Sequence, residues 1–233
     1  MDVILIPGFW LDASSWERVT PVLAETGHRL HPVTLPGLES AGADRTGIGL
    51  ADHIAAVTEL VDRLEGPVVL VGHSGGGSVA HGVVDARPER IAKVVYVDAG
   101  PPAPGEVIND QLPVVDGEVP LPDWSVFQDE DLVDLDDALR AEFRARAITE
   151  PWGVASDPIE LTDPRRYEVP IAIIACEFPS VVLREAVDAG QPWVRELAKV
   201  AHVEYVDLPT GHWPQFTKPV QLGQAIASVL PSS

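Results

Sequence analysis

Residues 69–77 read VLVGHSGGG, in which Gly72, His73, Ser74, Gly75 and Gly76 form a G-x-S-x-G pattern. A serine hydroxyl is a poor nucleophile near neutral pH. The pattern therefore carries chemistry only if a histidine base, and usually a carboxylate that fixes the imidazole, lie elsewhere in the chain. Of the seven histidines, His212 is best placed: it stands in the loop TGHWPQF after the last expected strand, at the carboxyl edge where open α/β sheets carry their sites. His73 lies inside the turn and is expected to pack or bond locally; His28, His31, His53, His81 and His202 lack comparable positions. An acyl-transfer intermediate also needs two preorganised N–H groups for its oxyanion. Gly75, directly after the serine, is one candidate. The turn PGFW after the first strand offers the other at Phe9, with Trp10 next in line.

These residues need a scaffold that delivers them to one edge. VILIP, VVLVG, VVYVD and IAIIAC are short, continuous, β-rich runs of the kind buried on both faces of a parallel sheet, and HVEYVDLP reads as a further strand. Helical patterns separate them. Residues 14–26 start with serines and place Glu17 three positions after Ser14, a capping-box spacing that predicts a helix. Residues 50–64 put Leu50, Ile54, Val57, Val61 and Leu64 on one face, helical pieces are expected around 180–200, and a last helix near 219–230. The alternation predicts a doubly wound, mainly parallel sheet of about six strands in one domain over residues 1–233. The glycines fit the sharp strand-to-helix turn that exposes the serine, where neighbouring Cβ atoms would crowd.

After Asp98 the rhythm breaks. Residues 100–125 are rich in proline, which confines the chain to extended or turn conformations, and DEDLVDLDDALRAEFRARAI reads as an amphipathic helix with acids early and arginines late to suit its dipole. The expected insertion, at about 101–165, is longer than an ordinary crossover and so a candidate helical lid over a site.

Composition narrows the function classes. With 36 acidic against 16 basic residues the formal net charge is −20, a field that repels phosphate backbones and anionic membranes, so neither nucleic acid nor a membrane is an expected partner. The single cysteine, Cys176, cannot form an internal disulfide and provides no metal-ligand cluster; no metal is expected. The opening MDVILIPGFW lacks a basic n-region and its apolar run is too short for a signal or a span, which predicts a cytoplasmic protein.

Over essentially its whole length the chain resembles the α/β-hydrolase superfamily. PGFWLDASSWERVTPVLAETGHRLHPVTLPGLES looks like the opening of small hydrolases related to plant methylesterases and hydroxynitrile lyases, and VVLVGHSGGG and LPTGHWP resemble their serine turn and histidine loop. The resemblance implies a serine-esterase-like fold and no cofactor, but not a substrate, because the scaffold hosts many chemistries. The acid departs from the pattern. Similar proteins carry an aspartate a few residues past the strand represented here by IAIIAC, where this chain has Pro179 or Ser180; Glu177 comes earlier. Asp98, at the end of VVYVD, occupies a position some superfamily members use, and a carboxylate there can reach the histidine loop, so Asp98 is favoured over Glu177.

The expected activity is hydrolysis of a carboxylic ester or related acyl bond by Ser74, His212 and Asp98, on a neutral or apolar small molecule, by a monomer or homodimer. Trp10, Trp124 and Trp213, with Phe127, are candidates for the substrate pocket. Dehalogenases and epoxide hydrolases of this fold carry aspartate at the nucleophile position, and hydroxynitrile lyases a lysine beside the histidine where this chain has Trp213. A C–C bond hydrolase, a cofactor-independent oxygenase, and a binding protein that keeps the pocket with little turnover remain as alternatives.

Overall fold

Along each central strand, side chains alternate between two buried faces, and that alternation organises the molecule. The computed structural model describes residues 1–231. Its strands are β1 Asp2–Ile6, β2 Arg29–Pro32, β3 Val68–His73, β4 Ile91–Val97, β5 Glu118–Val119, β6 Glu150–Pro151, β7 Ile171–Ala175 and β8 Val203–Asp207. Six form one sheet in the order β2-β1-β3-β4-β7-β8, every pair parallel; β5 and β6 make a small antiparallel ribbon.

The helices are α1 Thr20–Ala24, α2 Leu50–Arg63, α3 Gly75–Ala86, α4 Asp137–Arg146, α5 Trp152–Ser156, α6 Ser180–Asp188, α7 Pro214–Thr217 and α8 Pro219–Val229. Ile4, Ile6, Leu70, Val94, Tyr96 and Ile173 face one layer, with Val57 and Val61 of α2, Val79 and Val83 of α3 and Ala186 of α6. Val3, Leu5, Val69, Val71, Val95 and Ile174 face the other, with Trp16, Leu23 of α1 and Leu222 and Ile226 of α8. Among the described residues no helix is long and apolar enough to cross a membrane.

Two expected helices are shorter than their patterns. The stretch 14–26 breaks into a 3-10 turn, Ala13–Trp16, and the short α1. The cap is Asp12, whose carboxylate accepts the Ser14 N–H at 2.8 Å, so the Ser14 to Glu17 spacing is not a capping box here. Pro21 explains the break: it has no N–H to bond back into the preceding turn and fits only the first turn of a helix. Of the helical pattern expected over 129–148, only Asp137–Arg146 is helical, because Asp136 caps α4 through the Leu139 N–H at 2.9 Å and Asp134 takes a left-handed φ of 63°.

Residues 98–170 leave the sheet between β4 and β7. Their aromatic and aliphatic side chains, Val119, Leu135, Phe143 and Val154 among them, form a third cluster with Phe9, Trp10, Trp213 and Phe216. This segment thus packs against the ends of β1 and of the chain's last loop.

Candidate active site

Strands β1, β3 and β4 lie side by side and parallel, so their carboxyl ends reach one edge, and each is followed by a turn holding a non-glycine residue at positive φ: Trp10 at 65°, Ser74 at 51° and Asp98 at 46°. Such backbone is costly, of order 1–3 kcal/mol each, and gathers at functional sites. Ser74 joins β3 to α3 with ψ −125°. The turn is tight enough that a Cβ on Gly72 would fall 2.5 Å from the Gly76 carbonyl oxygen, and one on Gly76 would fall 2.4 Å from that of Pro7. Only glycine fits at either position.

His212 arrives from the loop after β8. Its backbone N–H donates to the Asp131 carbonyl at 2.8 Å, and that of Gly211 to Val133 at 3.0 Å. The Nε2 of His212 is 2.7 Å from the Ser74 Oγ, and its Nδ1 is 2.7 Å from the Asp98 Oδ2. Asp98 is itself aimed: its Oδ1 accepts the N–H groups of Cys176 at 3.0 Å and Glu177 at 3.2 Å. The side chain of Glu177 also reaches the ring, its Oε1 lying 2.9 Å from the same Nδ1. Both carboxylates that the sequence offered are therefore present.

Burial raises the Asp98 carboxyl, but the hydrogen bond and charge of His212 and the two backbone N–H groups outweigh it and hold Asp98 below its ordinary range. Burial likewise opposes a charged His212, yet the pull of Asp98 and Glu177 prevails and pushes the imidazole up. The Glu177 carboxyl is pushed up to about 7, first by burial and further by the charge of Asp98, against the opposing pull of His212.

His73 is a buried anchor of longer range than the sequence implied. Its Nε2–H donates to the His212 carbonyl oxygen at 2.6 Å, which fixes the histidine loop from beneath. Burial drives its pKa down to about 3, so the ring is neutral and holds the loop by that bond alone. No sequence signal pointed to this partner, 139 residues away.

The turn after β1, the expected source of an oxyanion donor, is held from the insertion. Trp10 donates its backbone N–H to the Glu150 Oε2 at 3.1 Å and its indole N–H to the Val119 carbonyl at 3.0 Å; its own carbonyl accepts the Ile148 N–H at 2.9 Å. Trp10's N–H is thus already engaged, whereas that of Phe9 meets no acceptor among the described residues. Gly75 opens α3, where the first N–H groups have no partner within the helix and the dipole is positive. These two N–H groups, not Trp10's, are free to meet a developing oxyanion.

Glu150 is fully buried, and burial pushes its carboxyl up to about 8, against the opposing effects of the Trp10 N–H and Arg45. Between its ordinary value near 4.5 and about 8 the native state keeps a proton that the unfolded chain releases. Stability is therefore lost as pH rises through that window. Glu150→Gln, which keeps an acceptor for Trp10, is expected to melt higher relative to the wild type at pH 9 than at pH 5. Glu150→Leu strands a buried N–H at a cost of about 1–3 kcal/mol and should lower kcat/KM on an active substrate about tenfold by loosening the oxyanion turn. Paired thermal melts and rates check both; equal melting shifts for Glu150→Gln at the two pH values would refute the titration.

Two cavities meet at Ser74 and Ile108. One, of about 400 Å³, is lined by Pro101, Val107, Ile173, Leu183, Val194 and Leu197, with Phe178 and Trp193 at its rim, 45 % and 57 % exposed. The other, of about 260 Å³, is lined by Phe9, Trp10, Leu112, Phe127, His212 and Trp213. Trp10 and Trp213 line the smaller cavity. Trp124 lines neither, because it packs edge-on against Phe143 and Trp213, with centroids 5.6 and 5.8 Å away, under the Arg144 guanidinium. Asp98, Glu177 and His212 each bring a ligand-type atom within 4.8 Å of the others. The contacts to Nδ1 account for that closeness, and a cation there would have to displace the ring proton.

The chain matches the Alpha/beta hydrolase family over residues 3–225. A pyrethroid hydrolase from Sphingobium wenxiniae is 28% identical over 246 aligned residues, covering 97% of this chain and 86% of that protein. Among solved structures, an extracellular alpha/beta-hydrolase from a Paenibacillus species superposes with a TM-score of 0.78 at 20% identity over 98% of both chains. A methylesterase from Arabidopsis gives 0.71 at 17% identity, again over 98% of each. These two likenesses establish the fold.

Proposed function

Because the chain belongs to the alpha/beta hydrolase family, we propose that it is a serine hydrolase that cleaves a neutral carboxylic ester or related acyl bond through an acyl-enzyme on Ser74. The observation that carries this reading is the unbroken relay from Asp98 through His212 to Ser74, each link 2.7 Å, on a serine held at positive φ. Similarity to a pyrethroid hydrolase supports ester cleavage.

Ser74 Oγ attacks the carbonyl carbon while His212 Nε2 takes its proton, and Asp98 stabilises the imidazolium that results. The N–H groups of Phe9 and Gly75 receive the oxyanion. Collapse of the tetrahedral intermediate expels the alcohol, protonated by His212. Water, deprotonated by the same imidazole, then releases the acid and restores Ser74. No step calls on a cofactor.

His212 lines the smaller, aromatic cavity, so the leaving alcohol that it protonates occupies that side and the acyl group extends into the larger one. The net charge of −20 disfavours anionic substrates.

A fluorophosphonate probe tests the nucleophile and p-nitrophenyl esters, acetate to octanoate, test turnover. Labelling that peptide mass spectrometry places on Ser74, with turnover of the esters, is the expected result. Labelling with no turnover of any ester points to a different bond, such as C–C. Absence of both sinks the hydrolase reading in favour of a binding protein.

A further inference from the structure

A histidine that presents one N–H at Nδ1 needs one acceptor, and this site supplies two. Asp98 closes β4 and Glu177 follows β7, and these strands are neighbours in the sheet, so both carboxylates emerge at the same point. Asp98 takes the Nδ1–H at 2.7 Å, and the Glu177 Oε1 lies 2.9 Å from the same nitrogen. The backbone N–H of Glu177 meanwhile holds the Asp98 Oδ1 at 3.2 Å. One residue thus orients the first carboxylate through its main chain and brings a second through its side chain.

Resting on the serine-hydrolase reading, we propose that Glu177 is a second positioning carboxylate for His212, which strengthens the base while Asp98 is present and holds the ring when Asp98 is lost. Burying a second ionised carboxylate beside Asp98 is unfavourable unless a shared cation compensates it, and the imidazolium at 2.9 Å supplies that cation. The groups that face the pair are few. The His73 ring, 5.1 Å from that of His212, is neutral. Asp131 lies against Glu177 and opposes its ionisation. Lys218 bears on the adjoining Cys176.

The sign of the effect follows. Ionised Glu177 favours the imidazolium, so it raises the pH at which His212 becomes a competent base. Removing that charge moves the acid limb of kcat/KM to lower pH. With Glu177 itself half-titrated near 7, the shift should be about half to one pH unit.

The test compares the wild type, Glu177→Gln, Asp98→Asn and the double variant, by kcat/KM against pH and by the titration of the His212 ring nitrogens in nitrogen-15 NMR. Glu177→Gln is expected to shift both the limb and the NMR titration downward. Asp98→Asn should lose about 10²-fold, and the double variant about 10⁴-fold, the loss typical when no carboxylate sets the tautomer. If Glu177→Gln moves neither titration nor limb, or if Asp98→Asn alone is as impaired as the double variant, Glu177 is not a second carboxylate for His212. The NMR titration needs no substrate. A wild type that neither is labelled on Ser74 nor turns over any ester would overturn the serine-hydrolase reading while the titration still decided the role of Glu177.

Discussion

Ser74→Ala will lower kcat/KM on any ester the protein hydrolyses by about 10⁴-fold or more, His212→Ala will cost about as much, and the two together little further. Non-additivity is the informative part. The hydroxyl is activated only through the 2.7 Å contact with Nε2, so once either partner is gone the other has nothing to do, and the residual rate belongs to the N–H groups of Phe9 and Gly75 and to substrate binding. Both substitutions leave the histidine loop tied down, since the His212 contacts to Asp131 and to His73 are made by its backbone. The measurement is a rate series on one p-nitrophenyl ester with a thermal melt of each variant. A Ser74→Ala protein within tenfold of the wild type would remove Ser74 as the nucleophile.

The largest effect on stability is expected from Gly76→Ala. Its new methyl would lie 2.4 Å from the Pro7 carbonyl oxygen and 2.7 Å from that of Ile6. Those oxygens are main-chain atoms at the end of β1, fixed by pairing of Ile6 with Gly72. Neither can turn away as a side chain would. Relief requires α3 to move off the sheet, taking the first N–H of the oxyanion pair with it. Overpacking against movable neighbours costs about 1–3 kcal/mol; against fixed backbone the cost should be at least about 3 kcal/mol. Urea unfolding measures it. Gly42→Ala is the control, because nothing lies within 4 Å of its added Cβ, and its change should stay within about 0.5 kcal/mol.

The central sheet was legible because strands buried on both faces are largely apolar, and β1, β3, β4 and β7 are so but for Asp2, His73 and Lys93. The edge strand β2 was not: Arg29, Leu30, His31 and Pro32 are exposed or half-buried, so no apolar run marks it. The expected face of α2 omitted His53, a buried histidine whose Nε2 donates to the Pro36 carbonyl, because a polar residue in a core is invisible to hydrophobic periodicity.

In the site, Ser74 and His212 announced themselves by local pattern and by loop position. Sequence favoured Asp98 over Glu177 but did not show that both would meet the imidazole: adjacent strands bring both to one nitrogen. Glu150 gave no signal at all, since its importance lies in a hydrogen bond to a residue 140 positions away. Trp124 was grouped with the pocket because aromatics in an insertion commonly line one, whereas here it supports Phe143 and Trp213 from outside.

Trp10 gives its backbone N–H, its indole N–H and its carbonyl to three residues of the segment between β4 and β7, Glu150, Val119 and Ile148. That segment and the turn after β1 are consequently tied together at three points. If Phe9 supplies an oxyanion donor as proposed, a flap that swung aside to admit a substrate would pull that N–H out of place as it opened. On that reading substrate enters without displacing the segment, past Phe178 and Trp193, the exposed side chains that line the larger cavity, so their bulk bears on the size of what can be turned over.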